Sequence, residues 1–160
     1  MSEDRVAGDR PVPRPPRGHR SVPHTGDLAV EAWAPTREEC IAEAVQGMVR
    51  SFADIPDPAA GTPRDGEVTA DTDAQLLAAV LEDVIYRMDT AGELPADVSV
   101  RPTPDGVHVR YTMTGTETVT QIGAVPKAVA LHGLRLAQEP QESRDPLTPR
   151  EWVCHVTLDV

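Results

Sequence analysis

Long apolar runs are missing from this 160-residue sequence, and none approaches the roughly 20 residues needed to span a bilayer. The opening twenty residues, "MSEDRVAGDRPVPRPPRGHR", hold no apolar stretch of the kind a secretory signal requires. Cysteine is scarce. Cys40 and Cys154 lie far apart, each within an apolar pattern, and two buried, reduced thiols in a cytoplasmic protein are expected rather than a disulfide. There is no Gly-rich phosphate loop, no His-Glu-x-x-His and no Cys-x-x-Cys, which removes the enzyme classes built on them. The five histidines lack metal-ligand spacing; His132 and His155 are expected as half-buried structural residues on strands. Lysine is nearly absent, for Lys127 stands alone against 14 arginines.

What is present is an ordinary globular composition, 39% hydrophobic, with a formal net charge of −11. Residues 1–20 carry five arginines against three acids, so the remaining body holds −13. A body that acidic repels phosphates instead of releasing counterions from them. A basic protein surface or a cation is therefore the expected partner, and direct nucleic-acid binding by the body is not. Proline and arginine dominate residues 1–20, which read as a disordered arm ahead of a single domain over 21–160.

The apolar pattern supplies the elements. "LAVEAW" (28–33) reads as a strand. Thr36 and Glu39 form a capping box opening a helix, with Ile41, Val45, Met48 and Phe52 on one stripe. That helix fails near Asp54, before the loop "IPDPAAGTPRDG". "EVTA" is a short strand candidate. Thr72 and Gln75 cap a second helix, whose face runs from Leu76 through Val80, Leu81 and Val84 to Met88 and stops near Gly92. The period then falls to two. "VSVRP" and "VHVRYTMT" flank Thr103-Pro104-Asp105-Gly106 as a hairpin, "KAVALHGLRL" (127–136) is another strand, and "EWVCHVTLDV" is the last. A polar loop, "AQEPQESRDPLTPR", precedes it. Together they predict an α+β two-layer sandwich, with two long helices on one face of a mainly antiparallel sheet.

Three residues stand out chemically: Asp27 in "HTGD", the solitary Lys127, and Asp159 in the closing "LDV". Alone, Asp27 could close a turn and Asp159 could be a solvated edge residue. A compact ammonium does work that a planar guanidinium cannot, which marks Lys127.

The run "HTGDLAVEAWAPTREECIAEAVQGMVRSFAD" resembles the opening of the archease family, His-Thr-Ala-Asp followed by a strand and a helix ending near an aspartate. "DTDAQLLAAVLEDVIYRMDTAGEL" resembles that family's second helix, "KAVALHGL" its Lys-Ala-Val-Thr-Tyr-His segment, and "LDV" its Asp-Ile close. The likeness runs in register from about residue 21 to 160. Gly26 replaces the usual alanine, and Ala130 and Leu131 replace the Thr-Tyr pair before His132. The resemblance implies an accessory protein, not itself an enzyme. It would promote GTP-dependent guanylylation and repeated turnover of an RtcB-type RNA ligase in tRNA splicing or RNA repair, with GTP and RNA held by the ligase and no membrane involved. It further implies a divalent-cation site of Asp27 and Asp159, completed by Val160, with Lys127 nearby and Asp54 as a possible fourth member. Carboxylate and carbonyl oxygens suit Ca²⁺ first, with Mg²⁺ or Mn²⁺ as alternatives, over zinc. Two other readings stand beside it: a chaperone-like protein-binding module with a structural metal, and a small metal-dependent hydrolase.

Overall fold

The computed structural model describes residues 14–140 and 150–160. In chain order it comprises β1 (Gly18–His24), β2 (Asp27–Ala34), helix α1 (Arg37–Phe52), β3 (Ala53–Asp54), β4 (Thr62–Thr69), helix α2 (Asp73–Ala91), β5 (Glu93–Thr103), β6 (Gly106–Gly115), β7 (Thr120–Gln121), β8 (Ala128–Pro140) and β9 (Arg150–Asp159). The strands form a four-stranded sheet in the order β1-β2-β9-β8, a three-stranded sheet β4-β6-β5 and a small β3-β7 pair. Every pairing is antiparallel. The fold is therefore α+β, as expected, but its strands are divided among separate sheets where one was expected.

Both helices begin where the caps place them. The Thr36 hydroxyl accepts from the Glu39 amide at 3.1 Å, and the Thr72 hydroxyl from the Gln75 amide at 3.1 Å. Helix α2 ends at Gly92, whose φ of 63° satisfies the last turn without a Cβ penalty. The expected stripes are the core. Ile41, Val45, Met48 and Phe52 of α1 and Leu77, Val80, Leu81 and Val84 of α2 are buried with Val107, Val109 and Tyr111 of β6 and Val156 and Leu158 of β9. Helix α1 packs on β2 and β5, bridging the two larger sheets. Among the described residues no helix is long and apolar enough to cross a membrane.

Several expectations are corrected. Strand β1 starts inside the arm drawn over residues 1–20, the first thirteen of which lie outside the described residues. Its charges explain why: Arg17 donates to Glu43 at 2.7 Å and to Glu39 at 3.1 Å, His19 meets Glu43 at 3.0 Å, and Arg20 pairs with Glu31. The basic residues are thus tied to acids of α1 and β2. Strand β4 takes in Thr62 to Gly66 of the expected Pro/Gly loop, since an edge strand tolerates Pro63. His132 is exposed, not half-buried, because β8 shifts register between Ala130 and Arg135. Of the expected polar loop over 137–150, residues 141–149 lie outside the described residues.

Candidate functional site

One end of the four-stranded sheet gathers the residues singled out by sequence. The hairpin between β1 and β2 closes through Thr25 and Gly26, with His24 and Asp27 as its last pair. Gly26 has φ 79°, a conformation that costs a side-chain-bearing residue. Asp27 is thereby the first residue of β2, and β9 runs alongside so that Asp27 lies directly opposite Asp159. On the other side of β9, Asp159 faces Ala128 of β8. The Lys127 amide donates to the Asp159 carbonyl at 2.7 Å, and the Val160 amide to the Gly26 carbonyl at 3.3 Å. Asp27, Asp159, Val160 and the Lys127 backbone are therefore neighbours. Directly opposed residues point to the same sheet face with Cβ atoms about 4.5–5.5 Å apart. Asp27 is half-buried, whereas Asp159 and Lys127 are exposed.

Asp27 and Val160 line a hollow of about 290 Å³ with His24, Ser51, Ile122 and Gly123. Asp54 does not reach into it. It lines a separate hollow of about 350 Å³ with Arg50 and Ile55, and Ile122 borders both. Among the described residues no group of three His, Cys, Asp or Glu is placed to hold a metal ion. The carboxylates here are a pair, so further donors would be main-chain oxygens and water. A larger hollow, about 910 Å³, lies elsewhere beside Asp71, Asp73 and Asp105; there Arg37 holds Asp73 in a 2.8 Å ion pair. It contains none of the expected residues.

The cysteines take no part. Both are free and buried. The Cys40 thiol points at the Ala32 carbonyl at 3.6 Å, and its contact with Cys154 together with burial pushes its ionisation far up, away from nucleophile chemistry. Sequence reasoning passed over Ile122 and Gly123, because residues 116–126 carry neither helical nor strand periodicity. The one available signal was an isoleucine and a valine around a Gly-Ala step in an otherwise polar loop.

Residues 19–160 match the family model described as Archease protein family (MTH1598/TM1083). The chain belongs to the archease family. Two proteins named "probable protein archease", from two strains of Mycobacterium tuberculosis, are each 50% identical to it over 143 residues, spanning 89% of this chain and 75% of theirs. The solution structure of Methanobacterium thermoautotrophicum protein 1598 superposes with a TM-score of 0.64 at 22% identity, covering 89% of this chain and 99% of that one. It shares the fold.

Proposed function

We propose that this archease-family chain is a cytoplasmic activator of an RtcB-type RNA ligase, promoting the ligase's guanylylation from GTP and its repeated turnover in tRNA splicing or RNA repair. The observation that carries the reading is the pairing of Asp27 with Asp159 across β2 and β9, with the Lys127 amide bonded to the same Asp159. Residues more than a hundred positions apart meet at one exposed, acidic tip. Family membership supplies the class of partner, and the acidic body suits a basic active site better than nucleic acid.

The tip fits a hard divalent cation. Two carboxylates on one sheet face repel each other unless a positive charge stands between or beside them. Asp27 and Asp159 would supply the charged oxygens and the Val160 main chain a further one. With only two carboxylates, the set suits an ion that keeps much of its water, Mg²⁺ or Mn²⁺, as well as Ca²⁺. Bound there, the cation would neutralise the pair and offer a positive point to phosphate oxygens held by the ligase. Lys127 would add a mobile cation beside that point, and the half-buried Asp27, fixed by the Gly26 turn, would keep the tip's geometry rigid. None of these groups transfers a proton or forms a bond; the chain positions and the ligase reacts.

The test is to mix the chain with its host's ligase, GTP and Mn²⁺ and follow ligase guanylylation. Wild-type chain should accelerate it. Asp27→Ala, Asp159→Ala and Lys127→Ala should each remove at least tenfold of the stimulation while shifting stability by only about ±0.5 kcal/mol, as substitutions outside a core do. Stimulation that survives both aspartate substitutions would favour a scaffold whose metal is structural. No stimulation by wild type would reject the activator reading.

A further inference from the structure

We propose that Ile122 is the apolar anchor with which the chain seats its acidic tip on the ligase, an inference that rests on the ligase reading above and assigns the docking contact. Ile122 is 61% exposed and forms the wall between the hollow of Asp27 and Val160 and the hollow of Asp54 and Arg50. An exposed aliphatic residue is ordinary by itself. This one is held on fixed backbone. Its amide donates to the Phe52 carbonyl at 2.8 Å, and the preceding Thr120 and Gln121 pair with Asp54 and Ala53. The Gln121 side chain donates to the Gly123 carbonyl at 3.0 Å. Gly123 itself lies so close to α1 that a Cβ there would sit 2.4 Å from the Ser51 carbonyl. Downstream, the loop is tied again where Lys127 bonds Asp159. Val125, 39% exposed, extends the apolar surface.

A preorganised apolar side chain ringed by polar groups is the arrangement of an interface hot spot, since little ordering entropy remains to be lost on contact. The ring identifies the occupant. Asp27 lines the hollow on one side of Ile122, with Asp159 opposite it across the strands, and Asp54 and Arg50 line the hollow on the other, on a chain of net charge −11. A second copy of so acidic a chain is repelled; a cationic protein surface with an apolar recess is attracted. A ligase that must hold nucleotide and RNA phosphates supplies the cationic surface, and the proposal assigns it the apolar recess.

The experiment measures the dissociation constant of the full chain for its host's ligase by calorimetry, alongside guanylylation at rising chain concentration. Ile122→Ser should weaken binding at least tenfold yet reach near wild-type maximal stimulation once enough chain is added, whereas Ile122→Leu should bind almost as tightly as wild type. Asp27→Ala should show the converse, a low maximum at any concentration. A wild type that fails to bind overturns the ligase reading and this anchor with it. A wild type that binds beside an equally tight Ile122→Ser overturns the anchor alone. Dimerisation in ultracentrifugation that Ile122→Ser abolishes would assign the surface to a second copy and overturn it too.

Discussion

Tyr111 concentrates the energetics of single residues in this fold. Its ring is fully buried, its hydroxyl donates to Asp83 at 2.8 Å, and Arg87 both donates to the same carboxylate oxygen at 2.9 Å and stacks 5.1 Å from the ring centroid. Burial first, then the Asp83 charge, raises the phenol's ionisation well above the ordinary 10.0. The folded state thus keeps a proton that the unfolded chain gives up near pH 10. The contribution to stability is whole below that pH and is lost progressively above it. Urea titrations at pH 8 and pH 11 should show this alkaline loss, and Tyr111→Phe should diminish it while costing about 1.5 kcal/mol at neutral pH, the worth of a hydrogen bond to a charged group. The thiols make a second residue-scale test. Cys40, its ionisation raised by contact with Cys154 and by burial, should resist a disulfide-exchange reagent in the native protein, and both cysteines should react once urea unfolds it. Strand alternation reveals that Tyr111 faces inward. It does not reveal Asp83, which comes from a helix 28 residues earlier.

Among elements, proline sorts the strands. β1, β4, β5 and β8 carry Pro23, Pro63, Pro95 with Pro102, and Pro140, and each lies at the edge of its sheet; the inner strands β2, β6 and β9 have none. A missing amide donor is tolerated only where no neighbour asks for it. Val109→Pro, in the middle of β6, should accordingly prevent folding as judged by circular dichroism, while Pro63→Ala should move the melting temperature little. At the helix ends, Thr36→Ala should cost about 1 kcal/mol through the lost cap. Gly92→Ala should cost a similar amount, about 1 kcal/mol, because φ 63° strains an alanine. Both helices, the β5–β6 hairpin and β9 were legible beforehand, since capping boxes and apolar periods are local signals. β1 and the start of β4 were not: the prolines and glycines that an edge permits are the same residues that read as loop. β3 and β7, two residues each, are too short to leave any period.

For the molecule as a whole, charge and topology govern behaviour. A chain of net charge −11 approaching the basic ligase surface proposed above would be steered over distances comparable with the screening length, about 10 Å at 0.1 M salt. Stopped-flow association should slow severalfold between 50 and 500 mM salt, and dissociation should change far less. The tip itself was legible only through likeness to a family, because register between β2 and β9 is a non-local fact that spacing cannot express. That register has one more consequence. β9 is threaded between β2 and β8, so neither neighbour has the other to pair with until the strand near residue 160 is in hand. The β1–β2 hairpin can form alone, but β8 joins it only once β9 is in place, and the opposed carboxylates meet in that same step. Truncation or proteolytic clipping within β9 would part β8 from β2 and Asp159 from Asp27 in one stroke.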